Sequence, residues 1–404
     1  MNRMLLAIKV VAMTTVAFSF SSLATPEFDE CKLELRDQAK QSGVSHEVAD
    51  KVFDKLVYQP RVIELDRSQP EFVQTFPNYF SKRVTDWRVE KGRQMYAEHK
   101  SLLDALNNKY GVPPHYLIAF WGLETNFGSY KGKMPVLDSL ATLACDPRRS
   151  KFFTQELITA VKLLERESLE QDKMVGSWAG AMGHTQFMPS AYARYAIDGD
   201  NDGRVDLWES EQDALTSAAN FLAELGWQPG FRWGREIQLP ENFDYDLAGY
   251  SNRRTLSEWQ ELGIKQADGK PLGEGDVPAY IVVPAGYKGP AFIAYPNFRV
   301  IMRWNNSEFY AIAVGHLADR IIQGERLATA LPELPTYSRD DIIALQTALN
   351  NAGFDVGKPD GIIGPATRKG IRAFQRQHKL IADGFPGLEV MKKAGVSIAK
   401  KAKS

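Results

Sequence analysis

The sequence predicts a mainly α protein of α+β type: a large helical domain with a small β-containing insertion, then a small helical module at the C-terminus. Three observations carry this. Much of the first two thirds, rich in Trp, Tyr and Phe, repeats its apolar residues at helical spacing. Between Phe231 and Trp304 that pattern gives way to short β-type runs separated by Gly and Pro. Leu331-Pro332-Glu333-Leu334-Pro335-Thr336-Tyr337 then breaks the chain with two prolines and no periodicity, and reads as a linker.

From the N-terminus, Met1-Asn2-Arg3 and Lys9 precede an uncharged run from Val10 to Phe20 and the small-residue site Ser22-Leu23-Ala24. This order reads as a secretory signal peptide, residues 1–24, cleaved near Ala24. A buried N-terminal helix is the bland alternative. The run is too short to span a bilayer stably, and no cysteine follows it immediately to carry a lipid anchor. The remaining chain, about 380 residues, suffices for a large core and a further small domain. With 49 basic and 50 acidic residues, no global field points to nucleic acid or an anionic membrane as partner. The two cysteines, Cys31 and Cys145, offer an exported chain one structural disulfide or else two buried thiols. Their spacing resembles no metal site.

Gly111-Val112-Pro113-Pro114 opens a helix whose next residues, Tyr116 to Leu123, are apolar almost all round. Glu124 closes this run. Apolar neighbours and the negative end of the helix dipole both disfavour its charge, raise its pKa and suit it to general acid work near neutral pH. A structural carboxylate paired with Arg148 or Arg149 is the other reading. The stretch Gly176 to Ser190 contains enough Gly and Ala for close backbone approach, to a ligand or to a packed neighbour. Ser177, Gln186 and the aromatic residues there could contact sugars. Neither a GxSxG elbow nor an HExxH motif occurs.

Asp198-Gly199-Asp200-Asn201-Asp202-Gly203-Arg204-Val205-Asp206-Leu207-Trp208-Glu209 places five carboxylates in twelve residues. Asp198, Asp200 and Asp202, the backbone carbonyl of Arg204 and a bidentate Glu209 match a structural calcium loop. Asp206 would act through water or not at all, and a solvated acidic loop is the alternative. Farther on, Arg235–Leu239, Ala279–Val283 and Ala291–Tyr295 read as strands, and Phe309–Ile322 as a helix. Beyond the linker, Ile342, Leu345 and Leu349, then Thr367, Ile371 and Phe374, recur at helical spacing. Asp360-Gly361, Gly364-Pro365 and Asp383-Gly384 supply the turns.

These motifs together resemble the lytic murein transglycosylases of the B type. The carriers are Gly122 to Gly128, Asp146-Pro147-Arg148-Arg149, Gly180 to Ser190, and Tyr295-Pro296-Asn297-Phe298 leading to Asn305. The resemblance spans nearly the whole mature chain. It implies a lysozyme-like catalytic domain over residues 25–330, located in the periplasm. It also implies a non-hydrolytic cleavage of peptidoglycan that leaves 1,6-anhydromuramoyl ends, with Glu124 as acid and then base. It places substrate-groove roles on Tyr79, Arg148, Arg149, Ser177, Gln186, Trp304, Asn305 and Tyr310. Trp304 and His184 stand where tyrosine is common, so sugar stacking is expected to survive while subsite preference is left open. The closing acid of the calcium loop can fall later in this family, which brings Asp213 into competition with Glu209. No organic cofactor is implied. A water-using muramidase and a silent wall-binding scaffold are the rival functions. In the tail, Leu345-Gln346, Gly353-Phe354, Asp360-Gly361, Gly364, Thr367 and Ala373-Phe374-Gln375 resemble a three-helix peptidoglycan-binding module, residues 338–404 after a linker at 331–337.

Overall fold

The structure is a computed structural model, and it describes residues 26–68, 74–273 and 275–397. The expected signal peptide, 1–24, and the last residues of the tail lie outside them. The fold class is the one the sequence predicts: helices throughout, with a small five-stranded sheet and a two-stranded pairing of Met134–Pro135 with Val175–Gly176.

The helix Pro114–Thr125 is the centre of the larger core. Ten of its twelve residues are buried, which explains why its sequence shows no polar face. The helices Asp86–Glu98, Lys100–Tyr110, Glu211–Glu224 and Glu308–Ile321 surround it. A second core lies beside it, built from the N-terminal helices Pro26–Gln41 and His46–Asp54 against Val136–Ala144 and Ser150–Arg166. Cys31 and Cys145 are joined in the structure, tying the first helix to the C-cap of Val136–Ala144. In chain-entropy terms, closing so long a loop contributes on the order of 4 kcal/mol.

The insertion is a five-stranded antiparallel sheet. Its order across the sheet is Arg254–Thr255, Pro278–Val282, Ala291–Ala294, Gly234–Gln238 and Lys265–Gln266. The three longer strands fall within one residue of the runs read from the sequence. Alternation along the central strand fixes its place. Phe292 and Ala294 enter the large core, whereas Ala291 and Ile293 join Trp259 and Ile281 in a small core of the insertion's own. The sheet thus backs the domain that carries Glu124.

Residues 331–337 are not a free tether, because Leu331 and Leu334 pack against the large core and Tyr337 enters the core of the tail. Among its described residues the tail has three helices, Arg339–Asn351, Pro365–Gln377 and Leu388–Lys393. Two of them carry an equivalent glutamine. Gln346 accepts from the backbone N–H of Asp360 and Gly361, and Gln375 accepts from that of Gly384. Each side-chain amide also donates to its aspartate, Asp360 or Asp383. The Asp-Gly turns are therefore built onto helix faces rather than left to solvent. Arg372 and Arg376 both pair with Asp246 of the insertion, and the Tyr287 N–H donates to Asp383 at 2.9 Å.

Candidate active site

Glu124 is the penultimate residue of Pro114–Thr125, and the chain turns sharply after it. Asn126, Phe127 and Gly128 all have positive φ, at 49°, 58° and 78°. Non-glycine residues in that region persist only where their surroundings hold them. Here the holding groups are identifiable. The buried Arg88 donates from Nε to the Gly122 carbonyl at 3.0 Å and from its guanidinium to the Asn126 side chain. It also donates to the carbonyls of Lys82 and Arg83, so it bolts two helix ends together. Thr125 Oγ1 donates to the His184 carbonyl at 2.8 Å and accepts from Gly128 N–H at 3.0 Å. Gly128 is required for space as well as for φ, since a Cβ there would lie 2.3 Å from the His184 ring.

The Glu124 carboxyl receives two donors on one oxygen. Tyr310 Oη and Trp304 Nε1, the latter at 3.0 Å, both donate to Oε1. Tyr310 is buried on Glu308–Ile321, and Trp304 is the last residue of Pro296–Trp304. Desolvation by this apolar wall pushes the Glu124 pKa up to about 7. The two hydrogen bonds and the nearby charge of Arg83 pull in the opposite direction and leave it there rather than higher. A carboxyl poised at that value can give and take a proton near neutrality.

The other predicted residues fall as follows. Trp304 is wedged among Phe120, Phe187 and Phe221, with ring centroids 4.6, 5.3 and 5.0 Å away. Its indole therefore serves to place a donor on Glu124. Tyr79 is half-buried against Phe309, and burial pushes its hydroxyl up to about 12. Ser177 Oγ accepts from the Ala181 N–H, and the Gln186 amide donates to the carbonyls of Lys131 and Gly183. This ties the small-residue stretch into a compact loop, in which a Cβ on Gly180 would collide with Leu140 at 2.4 Å. Close packing to protein is thus one reason for its glycines. Asn305 is exposed beside Trp304.

Arg148 and Arg149 are not partners of Glu124. Both pair with the buried Asp66, and Arg67 joins them through Asp146. Asp138, the nearest alternative carboxylate in sequence, accepts from Val57 N–H and the Gln59 amide, each at 3.2 Å. His184 corrects the expectation of a stacking ring. It is buried, accepts from Trp121 Nε1 at 3.0 Å, and is kept neutral by desolvation that lowers its pKa to about 4. Arg88 was not legible as a site residue. A basic residue in a helix carries no signal that its guanidinium will turn inward onto a neighbouring helix end.

In the acidic loop, carboxylate oxygens of Asp198, Asp200 and Asp202 lie within 4.8 Å of one another. Three hard oxygens so close are a donor set that fits calcium. Asp213 is buried inside the loop and accepts from the N–H groups of Gly199, Asp200 and Asp206. Glu209 instead borders two surface cavities beside Lys131.

The Transglycosylase SLT domain profile matches residues 27–319, and a peptidoglycan binding domain profile matches residues 338–393. The chain belongs to the lytic transglycosylases of this family, enzymes of peptidoglycan. It is similar to SltB3 of Pseudomonas aeruginosa, at 41% identity and a TM-score of 0.88, over 92% of this chain and 100% of that one. SltB3 has been solved with NAG-anhNAM-pentapeptide and with NAG-NAM-pentapeptide. The Escherichia coli lytic transglycosylase SLT35, solved in complex with calcium, is 28% identical with a TM-score of 0.64, over 72% of this chain and 93% of that one. Membrane-bound lytic murein transglycosylase B of Escherichia coli (strain K12) is 32% identical over 249 residues, 60% of this chain and 66% of that protein's length.

Proposed function

We propose that the protein cleaves the β-1,4 bond between N-acetylmuramic acid and N-acetylglucosamine without consuming water, using Glu124 as its one catalytic carboxyl. The observation that supports this reading most is the state of that carboxyl. Tyr310 and Trp304 occupy Oε1, so Oε2 is left to carry the proton. Oε2 gives it to the glycosidic oxygen, which departs from the muramoyl anomeric carbon with the bonding electron pair. Glu124 is then a carboxylate, and the two donors on Oε1 stabilise its charge. It accepts the proton of the muramoyl C6 hydroxyl as that oxygen bonds to the anomeric carbon. The products are a 1,6-anhydromuramoyl end and a free 4-hydroxyl, with no atom gained. Two-carboxylate glycosidases place a second acid about 5 to 9 Å away, whereas Asp138 is committed to the backbone of Val57 and to Gln59.

In this reading Tyr79, Ser177, Gln186, Asn305, Arg148 and Arg149 flank the glycan. Gln186 keeps its carbonyl oxygen for a sugar, because its amide is spent on Lys131 and Gly183. Calcium would be held by Asp198, Asp200, Asp202 and the Arg204 carbonyl. Asp213 is the favoured closing acid over Glu209, because its carboxylate lies inside the loop. The ion would neutralise the loop and fix the start of Glu211–Glu224, which packs beside the Glu124 helix. Residues 1–24 would direct export to the periplasm, residues 25–330 the chemistry, and residues 338–404, after the linker at 331–337, retention on the wall. Among the described residues no helix is long and apolar enough to cross a membrane. Glu124→Gln tests the assignment. Losing both proton roles should lower turnover on purified sacculi by about 10⁴-fold while glycan binding persists, and near-normal turnover would refute it.

A further inference from the structure

Arg88, Arg148 and Arg149 are all spent on partners within the protein. Arg88 is consumed by backbone carbonyls and Asn126, while Arg148 and Arg149 are neutralised on Asp66. Arg83 differs. It is the last residue of the helix Phe76–Arg83, and its own carbonyl is fixed by Arg88. One turn back on the same face, Tyr79 lies under its guanidinium, with the ring centroid 5.4 Å away. Tyr79 is in turn braced by Phe309, the neighbour of Tyr310. The guanidinium is exposed and makes no ion pair or side-chain hydrogen bond with another described residue. Its charge is nevertheless felt by Glu124, Tyr79 and Tyr310. A cation has therefore been steered to the edge of the Glu124 site and left without a counterion among the described residues.

We infer that Arg83, seated on Tyr79, is an anchor for a carboxylate of the peptide stem that the muramoyl residue carries. This deepens the peptidoglycan reading above and rests on it. In the intact wall the lactyl carboxyl of each muramoyl residue is spent in its amide to the peptide stem, so a guanidinium has little to recognise on the strand itself. The stem branches from the muramoyl C3 position and bears free carboxylates, which are the groups a planar guanidinium binds in bidentate fashion. The ring beneath holds the fork in place, so less rotamer freedom is lost when a carboxylate docks. Arg83 then favours glycan whose stems keep their free carboxylates over glycan whose stems have been amidated.

The test compares full-length wild type, Arg83→Ala and Arg83→Lys on two substrates: glycan strands with peptide stems, and the same strands after carbodiimide coupling to ammonia has turned the stem carboxylates into neutral amides. The quantity read is the ratio of kcat/KM on the two, in which any effect common to both cancels. A charge-assisted hydrogen bond is worth about tenfold or more in binding. The ratio should therefore fall by about tenfold or more in Arg83→Ala, with Arg83→Lys lying between, because it keeps the charge without the fork. A ratio unchanged by Arg83→Ala would overturn the inference, including the case in which both substrates slow equally. A wild type that released no fragments from either substrate would overturn the enzymatic reading itself, and the anchor with it.

Discussion

Replacing Glu124 by glutamine should stabilise the protein above pH 7, and the site gives the size of the effect. Burial raises the folded-state pKa to about 7 from an ordinary value of 4.5. Below that ordinary value both folded and unfolded chains hold the proton, and ionisation costs the fold nothing. As pH rises from there to about 7, the unfolded chain releases its proton while the folded one retains it. Stability then falls by about 1.4 kcal/mol per pH unit. Above the folded pKa the accumulated cost is on the order of 3 kcal/mol, an upper figure because the carboxyl keeps some access to solvent. Glutamine never ionises, and its carbonyl oxygen can accept from Tyr310 and Trp304 as Oε1 does. Glu124→Gln should therefore match the wild type near pH 4 and exceed it by about 1 to 3 kcal/mol at pH 8, a gain of several degrees in Tm. Thermal unfolding of both proteins across this range measures it. A mutant no more stable at pH 8, or equally favoured at pH 4, would refute the desolvation argument.

Two further outcomes follow from the same geometry. Tyr310→Phe removes a donor from the charged form of Glu124, so the carboxyl pKa should rise by about one unit. The alkaline limb of the kcat/KM profile should move up with it, and an unmoved or lowered limb would contradict the role given to Tyr310. If the trio Asp198, Asp200 and Asp202 holds calcium, chelator should lower the Tm and calcium should restore it better than magnesium. Asp198→Ala should abolish that response, and identical melting with and without calcium would reject the site.

Much of this molecule was legible as pattern. The unbroken apolar run from Tyr116 to Leu123 announced a helix buried on all sides, and Glu124 at its end was conspicuous because a carboxylate seldom ends such a run unpaired. The strands were legible because Gly and Pro punctuate the insertion. The tertiary pairings were not. Trp304 lies 180 residues from Glu124 in the chain, and nothing in Arg303-Trp304-Asn305 says that an indole N–H will meet a carboxylate. His184 read as a ring for sugars because it stands where tyrosine is common in the resembled family, whereas its small neighbours allow the loop to close over it. Asp66 gave no sign that it would hold Arg148 and Arg149, since an acid at the end of a polar helix looks solvated.

In the proposed reaction one carboxyl performs both proton transfers, and the sugar's own hydroxyl, not water, attacks. The most direct test is the mass of the muramoyl ends released from purified sacculi by the full-length enzyme. The ends should be lighter by one water, as 1,6-anhydromuramic acid, from the earliest time points and at every pH where the enzyme turns over. Predominantly reducing muramic acid ends, heavier by that water, would contradict it.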